Sequence, residues 1–282
     1  MEFETGRGNQ RRIDILFERC LIACALYDEY WLLYAQHLES RWGDVDELEN
    51  RPHIEQLLRN VYRRACTIHV CDKPTLYLMW ANFEEKTGDL NKASLVLDLL
   101  EKVTPRLDGL AVRRVNLARR QGDHDRVLAL YRKYIEGAKK DNSIIAPLSL
   151  RAARFASKVL GNEDLAEEFI EKALEKDPRN SRLYTQLFDL RYQRRPVDVS
   201  LAVEVLNRAL KSKMDLEQRC RFAHRKVEFL EDFGSNVVEL VDAQEEYQKL
   251  VKRLQSDRQA KAAAQLAQQQ ASATNAAPAE TR

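Results

Sequence analysis

Glycine and proline are scarce in this chain, at 9 and 7 of 282 residues. A sheet protein joined by many tight turns needs more of both, so an all-β fold is disfavoured from the start. Long apolar runs are also missing. The longest, residues 20–27, has eight residues, against the roughly 20 that a membrane-crossing helix requires. Net charge is almost absent, at +2, so nothing global draws the chain to nucleic acid or an anionic membrane. The five cysteines are odd in number and lack Cys-x-x-Cys spacing. Cys20 and Cys24 sit one helical turn apart on an apolar stripe, and read as small buried thiols in a reducing compartment rather than a metal or redox pair. What the chain does have is 44% hydrophobic and 32% charged residues, the mix of a folded and highly helical protein.

Helical periodicity is its dominant pattern. Ile13, Leu16, Phe17, Cys20 and Cys24 recur at steps of three and four, one face of an amphipathic helix. Asp28 is placed to cap a second helix that carries Trp31, Tyr34, Ala35 and Leu38. The pattern then repeats. "WLLYAQHLE" (residues 31–39) aligns with "YLMWANFEE" (residues 77–85), matching Trp31 to Tyr77, Tyr34 to Trp80, Ala35 to Ala81 and Glu39 to Glu85. The offset is 46 residues. Its excess over later spacings lies in "SRWGDVDELENRPH", which reads as a long loop.

Turn signals mark the later units. "TGDLNKASLVLDLL" places Gly88 at a helix end and Asp89 at the next cap. The same punctuation returns at Gly122, 34 residues on, at Gly161, 39 further, and at Gly234, 73 further. The last gap holds two units, with Pro196 as the intermediate breaker. Two helices per period and no strand signal predict an all-α fold, an α-solenoid of stacked helical hairpins that bury one another's apolar stripes. Bulky Trp31, Tyr34 and Trp80 should fill the space between the two helices of their units. Small Ala35, Ala65 and Ala93 should let neighbouring helices approach. The solenoid is expected over residues 1–255, beginning inside a repeat because only a stub, residues 2–4, precedes the first glycine-marked turn. Residues 256–282, rich in alanine and glutamine, should extend the last helix and then become a disordered tail.

The aromatic-x-x-aromatic-Ala…Glu pattern of the first helix, with "LFERC" or "VYRRAC" in the second, resembles the half-a-TPR (HAT) repeat, a TPR-like hairpin found mainly in RNA-processing proteins. "LFERCLIACALYDEYWLLYAQHLE", "YRRACTIHVCDKPTLYLMWANFEEKTGDLNKA" and "RKVEFLEDFGS" are similar to the C-terminal half of the pre-mRNA-processing factor 39 family. The resemblance runs from residue 2 to 250 and is weakest over residues 142–212. It implies a nuclear, non-enzymatic scaffold of pre-mRNA splicing, associated with proteins of the U1 small nuclear ribonucleoprotein (snRNP) during 5′ splice-site recognition. It also implies a homodimer paired through HAT domains. The family's N-terminal HAT half has no counterpart here, and residues 110–120 lack the aromatic pair.

No catalytic, cofactor or metal constellation stands out in the sequence. His37, His53, His69, His124 and His224 are scattered, none in a His-Glu-x-x-His context. His37 occupies the position of Phe83 and reads as a packed ring. Glu84/Glu85 and Glu167/Glu168 read as solvated charge on exposed helix faces. Local charge is more telling. Residues 102–140 hold eleven Lys/Arg against four Asp/Glu, and residues 227–247 hold seven Asp/Glu and no Lys/Arg. The basic stretch, with Arg113, Arg114, Arg119 and Arg120 at its centre, is a candidate partner-binding patch. Few aromatics interleave with these arginines, so a protein partner is favoured over stacked RNA bases, and any RNA contact should be weak. The final helix supplies a second candidate. Leu240, Tyr247, Leu250 and Leu254 lie on an apolar stripe that should outrun its neighbour and form the dimer interface. Two alternatives keep the same fold: a HAT scaffold of another complex, in mRNA 3′-end or ribosomal RNA processing, and a module that binds RNA directly.

Overall fold

The computed structural model describes residues 10–275, apart from residues 106, 108, 139 and 140. The expected stub at residues 2–4 and the end of the expected tail, residues 276–282, lie outside the described residues. Among those described there are thirteen α-helices and no strand. They are α1 (Gln10–Ala23), α2 (Asp28–Gly43), α3 (Arg51–Arg64), α4 (Pro74–Lys86), α5 (Leu90–Val103), α6 (Leu110–Gln121), α7 (His124–Gly137), α8 (Asn142–Lys158), α9 (Glu163–Lys176), α10 (Ser181–Gln193), α11 (Val199–Lys211), α12 (Leu216–Phe233) and α13 (Val237–Asn275). The chain divides into two compact units, Met1–Tyr131 and Arg132–Arg282.

Helix boundaries follow local chemistry. Gly88, Gly122 and Gly161 take left-handed φ angles of +88°, +77° and +66°, a conformation that a Cβ would strain. The next residue or the one after begins each new helix. Asp89 accepts from the Lys92 N–H, Asp123 from Arg126 and Asn162 from Leu165, at 2.9–3.0 Å. Each such cap contributes about 0.5–2 kcal/mol. Asp198 does the same for α11 by accepting from the Leu201 N–H at 3.1 Å. Asp28, by contrast, lies inside the first turn of α2, and the cap position falls to Tyr27, which offers no side-chain acceptor. Gly234 also departs from expectation. Its φ is −73°, and it is needed for closeness instead, because a Cβ there would collide with the carbonyl oxygen of Leu230.

Within each unit consecutive helices pack as hairpins, and alternate helices also touch: α2 with α4 in the first unit, α8 with α10 in the second. That is the stacked-hairpin class the sequence predicts. The first unit's core holds Trp31, Tyr34, Leu38, Leu58, Tyr62, Leu76 and Phe83, with Ala35, Ala65, Ala81 and Ala93 buried where helices approach. The second is built on Ile145, Ala152, Ile170, Leu187, Val205 and Leu206. Tyr34 stacks on Phe17 at 4.7 Å, and the half-buried His37 stacks on the same ring at 5.4 Å. Trp31 stacks on His69 at 5.3 Å and donates to the Ala25 carbonyl at 2.8 Å.

Two expectations need correction. The segment read as a long loop is mostly helical: α2 continues to Gly43, and a 3-10 turn, Val45–Asn50, leads directly into α3. Trp80 is only half-buried and faces the preceding hairpin, stacked on Tyr62 at 6.3 Å. The last helix extends to Asn275 and so takes in the start of the alanine- and glutamine-rich segment. Alanine and glutamine are strong helix formers, and neither glycine nor proline occurs between Gly234 and Pro278.

Candidate interaction surfaces

The matched spacing of the two echoed segments places Glu39 and Glu85 at equivalent points on α2 and α4. Both act as bridges. Glu39 accepts from the Tyr62 hydroxyl of α3 at 2.6 Å and from Lys86 of α4 at 3.2 Å. Glu85 accepts from Arg113 at 2.7 Å and Arg120 at 2.6 Å, both on α6. A polar ladder thus joins α2 to α4 to α6. The other helices of that unit are tied likewise, by Arg64 of α3 to Glu18 of α1 at 2.6 Å and by Arg126 of α7 to Ser94 of α5 at 2.8 Å. In the second unit, Arg208 of α11 clasps Glu171 of α9 with two 2.7 Å bonds. Arg191 reaches Glu167 at 3.3 Å, and Arg225 of α12 reaches Asp189 of α10 at 2.5 Å.

This ladder changes the reading of the basic stretch. Arg113 and Arg120 converge on Glu85, and Arg113 also donates to Asn82. Arg114 is 9% exposed and forks between Asp98 and Glu101 of α5. Only Arg119, of the four, is exposed and without an ion pair among the described residues. Three of the four candidate partner-binding arginines are therefore engaged in ion pairs between helices. Glu84, Glu85 and Glu167 are likewise not on solvated faces, against the expectation from sequence. Glu84 is buried, receiving Arg59 and the Trp80 indole. Helical spacing from Tyr77, Trp80 and Ala81 was the available signal, since it carries Glu84 onto the same face.

The final hairpin also differs from expectation. Leu250 and Ala243 are buried against α12, while Leu240, Tyr247 and Leu254 are half-buried. Tyr247 meets His224 edge-on at 5.2 Å. Pairs from Gln244–Glu231 at 3.2 Å to Arg258–Glu217 at 3.7 Å run along the whole seam. Eighteen-residue α12 is long enough to cover the stripe, which is why Leu254 does not outrun it. An open groove of about 430 Å³ remains on this seam, lined in part by Cys220, His224, Tyr247, Val251 and Leu254.

A polar cleft of about 720 Å³ lies between the helix-capping turns of the first unit, with Arg59, Asp89, Gln121, Asp123 and Arg126 around it. Arg59 pairs with Glu55 at 3.3 Å, and Arg126 turns to Ser94 at 2.8 Å. Cys20, Cys24 and Cys71 are half-buried, and burial pushes the Cys66 thiol up to about 12. Among the described residues, no group of three or more His, Cys, Asp or Glu is arranged to hold a metal ion, and no helix is long and apolar enough to cross a membrane.

Residues 1–120 match the family described as the PRP39 C-terminal HAT repeat. The chain belongs to the pre-mRNA-processing factor 39 family through its HAT repeats. It is 38% identical over 256 residues to pre-mRNA-processing factor 39 of Xenopus laevis, covering 89% of this chain and 37% of that protein. The Homo sapiens protein of the same name is 35% identical over 260 residues, with 91% and 36% covered. That of Schizosaccharomyces pombe is 28% identical over 177 residues, with 61% and 28% covered. The chain thus spans about a third of its vertebrate relatives' length. In HAT terms, α2–α3 and α4–α5 are the hairpins that carry the aromatic-Ala…Glu pattern, and the Glu at its end is the residue that bridges to the next repeat.

Proposed function

We propose that this chain is a non-enzymatic HAT-repeat scaffold of pre-mRNA splicing, acting in the nucleus with the U1 snRNP during 5′ splice-site recognition. The observation that carries this reading is its 35–38% identity, over about nine-tenths of its length, to relatives named pre-mRNA-processing factor 39. The mechanism is geometric. Hairpins locked by buried aromatics and inter-repeat ion pairs present exposed side chains at fixed spacing, so that bound proteins are held in register.

Protein contact is favoured over RNA contact by the state of the arginines. Arg113, Arg114 and Arg120 are neutralised by carboxylates of their own unit, and a phosphate backbone would have to compete with those carboxylates. Arg119 remains the candidate partner contact of that group. The reading includes a homodimer through the HAT repeats. The groove beside Tyr247 and Leu254 is the surface offered for it, and Leu240 and Leu250 lie on the same apolar stripe of α13. The deciding experiment is purification of the tagged protein from nuclei and sequencing of the small RNA that accompanies it. U1 small nuclear RNA is the expected result. Enrichment of a different RNA would transfer the chain to another RNA-processing complex.

A further inference from the structure

The second unit carries a basic face whose charge is not answered from within. Elsewhere in that unit Arg191, Arg194 and Arg208 each pair with a carboxylate of a neighbouring helix. On α8 the cations Arg151, Arg154 and Lys158 recur at steps of three and four, so they share one side of the helix. All three are exposed. Two hydrogen bonds fix where that side lies. Arg154 donates to Gln186 of α10 at 3.1 Å, and Lys158 donates to Gln193 of α10 at 2.6 Å. The two helices thus run side by side in the same direction. Arg182, also exposed, stands one turn before Gln186 as Arg151 stands one turn before Arg154. That register sets Arg182 at the level of Arg151.

None of these four cations has an ion pair among the described residues, and the sequence shows why. Residues 142–162 contain no Asp or Glu, and the one carboxylate of α10, Asp189, is taken by Arg225 of α12 at 2.5 Å. The glutamines that receive Arg154 and Lys158 are neutral. They orient the cations without cancelling their charge, and their amide nitrogens are left to donate. Like charges one turn apart oppose one another on a helix, so the face is stabilised by an anion laid across it. Its chemistry favours carboxylates over a nucleic-acid strand. Single-stranded RNA is held by phosphate contacts together with bases stacked on aromatic rings. Tyr192, the exposed aromatic of α10, is instead packed edge-on against Phe229 and Phe233 at 6.0 and 5.6 Å. Guanidinium forks need no stacking partner to grip carboxylates. From Arg151 to Lys158 the helix rises about 10 Å, a length that about three residues of extended chain cover.

We propose that the α8–α10 face docks an acidic segment of a partner protein. Its Asp or Glu side chains meet Arg151, Arg154, Lys158 and Arg182, while its backbone carbonyls accept from the amides of Gln186 and Gln193. This site is separate from the groove at Tyr247 and does not depend on the splicing role.

The test is selection of a random dodecapeptide display library on the whole chain, followed by fluorescence anisotropy of the enriched peptides and of an oligouridylate of equal length. Two face variants are compared with the wild type, Arg151→Glu with Arg182→Glu and Arg154→Glu with Lys158→Glu. A control, Lys252→Glu with Arg253→Glu on α13, makes the same change in net charge elsewhere. All six positions are exposed, so thermal melting should be unchanged. Peptides rich in Asp and Glu should be enriched. They should bind each face variant about tenfold more weakly, as like charges set against one another require, and should bind the control as they bind the wild type. The proposal is overturned if no acidic peptide is enriched or if affinity is indifferent to the face changes. Equal weakening by the control would reduce the effect to net charge. Oligouridylate binding tighter than the peptides and lost in the face variants would assign the surface to RNA, and loss of self-association in those variants would assign it to a second copy; either result overturns the proposal.

Discussion

Arg59 of α3 forks onto Glu84 of α4, donating from Nε and Nη2 at 3.0 Å to a carboxylate that is only 1% exposed. The same carboxylate takes the Trp80 indole N–H at 3.0 Å. One hairpin is thereby keyed to the next by a charge that water does not reach. Removing Glu84 takes away the buried half of this pair and leaves the partly exposed Arg59 with Glu55 at 3.3 Å, so the loss should fall toward the low end of the about 3–5 kcal/mol that breaking a buried pair costs. Glu84→Ala should lower the urea midpoint accordingly. The double replacement Arg59→Met with Glu84→Leu should recover most of the loss. A single-variant loss under about 1 kcal/mol would show that the pair is screened by solvent and does not lock the hairpins.

Much of the fold was legible because helical spacing and helix punctuation are local. Gly88–Asp89 and Gly122–Asp123 specify a stop and a cap whatever surrounds them. What was illegible depends on which neighbour a face meets. Trp80 matches Tyr34 in sequence, yet it faces α3 and shares its surroundings with Glu84. The ladder from Glu39 and Glu85 was visible only as a repeated letter, because its partners lie on helices two positions further along. The basic stretch could be counted in the sequence, but the carboxylates that neutralise it, Glu85, Asp98 and Glu101, come from other helices.

Arg114 and Arg119, five positions apart on α6, should behave oppositely. Arg114→Glu places a third carboxylate beside Asp98 and Glu101 in a buried seam. It should destabilise the chain by about 3 kcal/mol or more, the scale of an uncompensated buried charge. Arg119→Glu should leave the melting curve within about 0.5 kcal/mol of wild type, as exposed substitutions do, while weakening recruitment to the ribonucleoprotein. Recruitment unaffected by Arg119→Glu would make that face plain solvated surface.

Acid sensitivity should include a contribution from Glu171. Its hydrogen bonds from Arg208 hold its carboxyl below the ordinary range. A folded-state pKa lower than the unfolded one contributes stability that is fully present above the unfolded value, about 4.3, and is lost as pH falls through the folded value. Glu171→Gln should therefore flatten the pH dependence of unfolding free energy below about pH 4.3 and leave its slope near neutrality unchanged. Identical acid profiles for variant and wild type would mean that the clasp with Arg208 is not maintained in solution.

Homodimer pairing has a concentration-dependent signature. Light scattering at micromolar concentration should report twice the chain mass. Tyr247→Glu with Leu254→Glu, both lining the open groove, should return it to one chain mass with the helical signal retained. Leu250→Glu is unsuitable for this purpose, because Leu250 is buried against α12 and its loss would unfold the hairpin. A wild-type monomer, or a dimer indifferent to the double change, would remove this groove from the account.

The central claim is that the chain holds its particle together by protein contact, and the most direct measurement compares purifications of the tagged protein from nuclei with and without ribonuclease. The account predicts that U1 snRNP proteins remain bound after the RNA is digested, in amounts close to those in the untreated sample. Their loss on digestion, with the tagged protein recovered intact, would contradict it and assign the association to RNA.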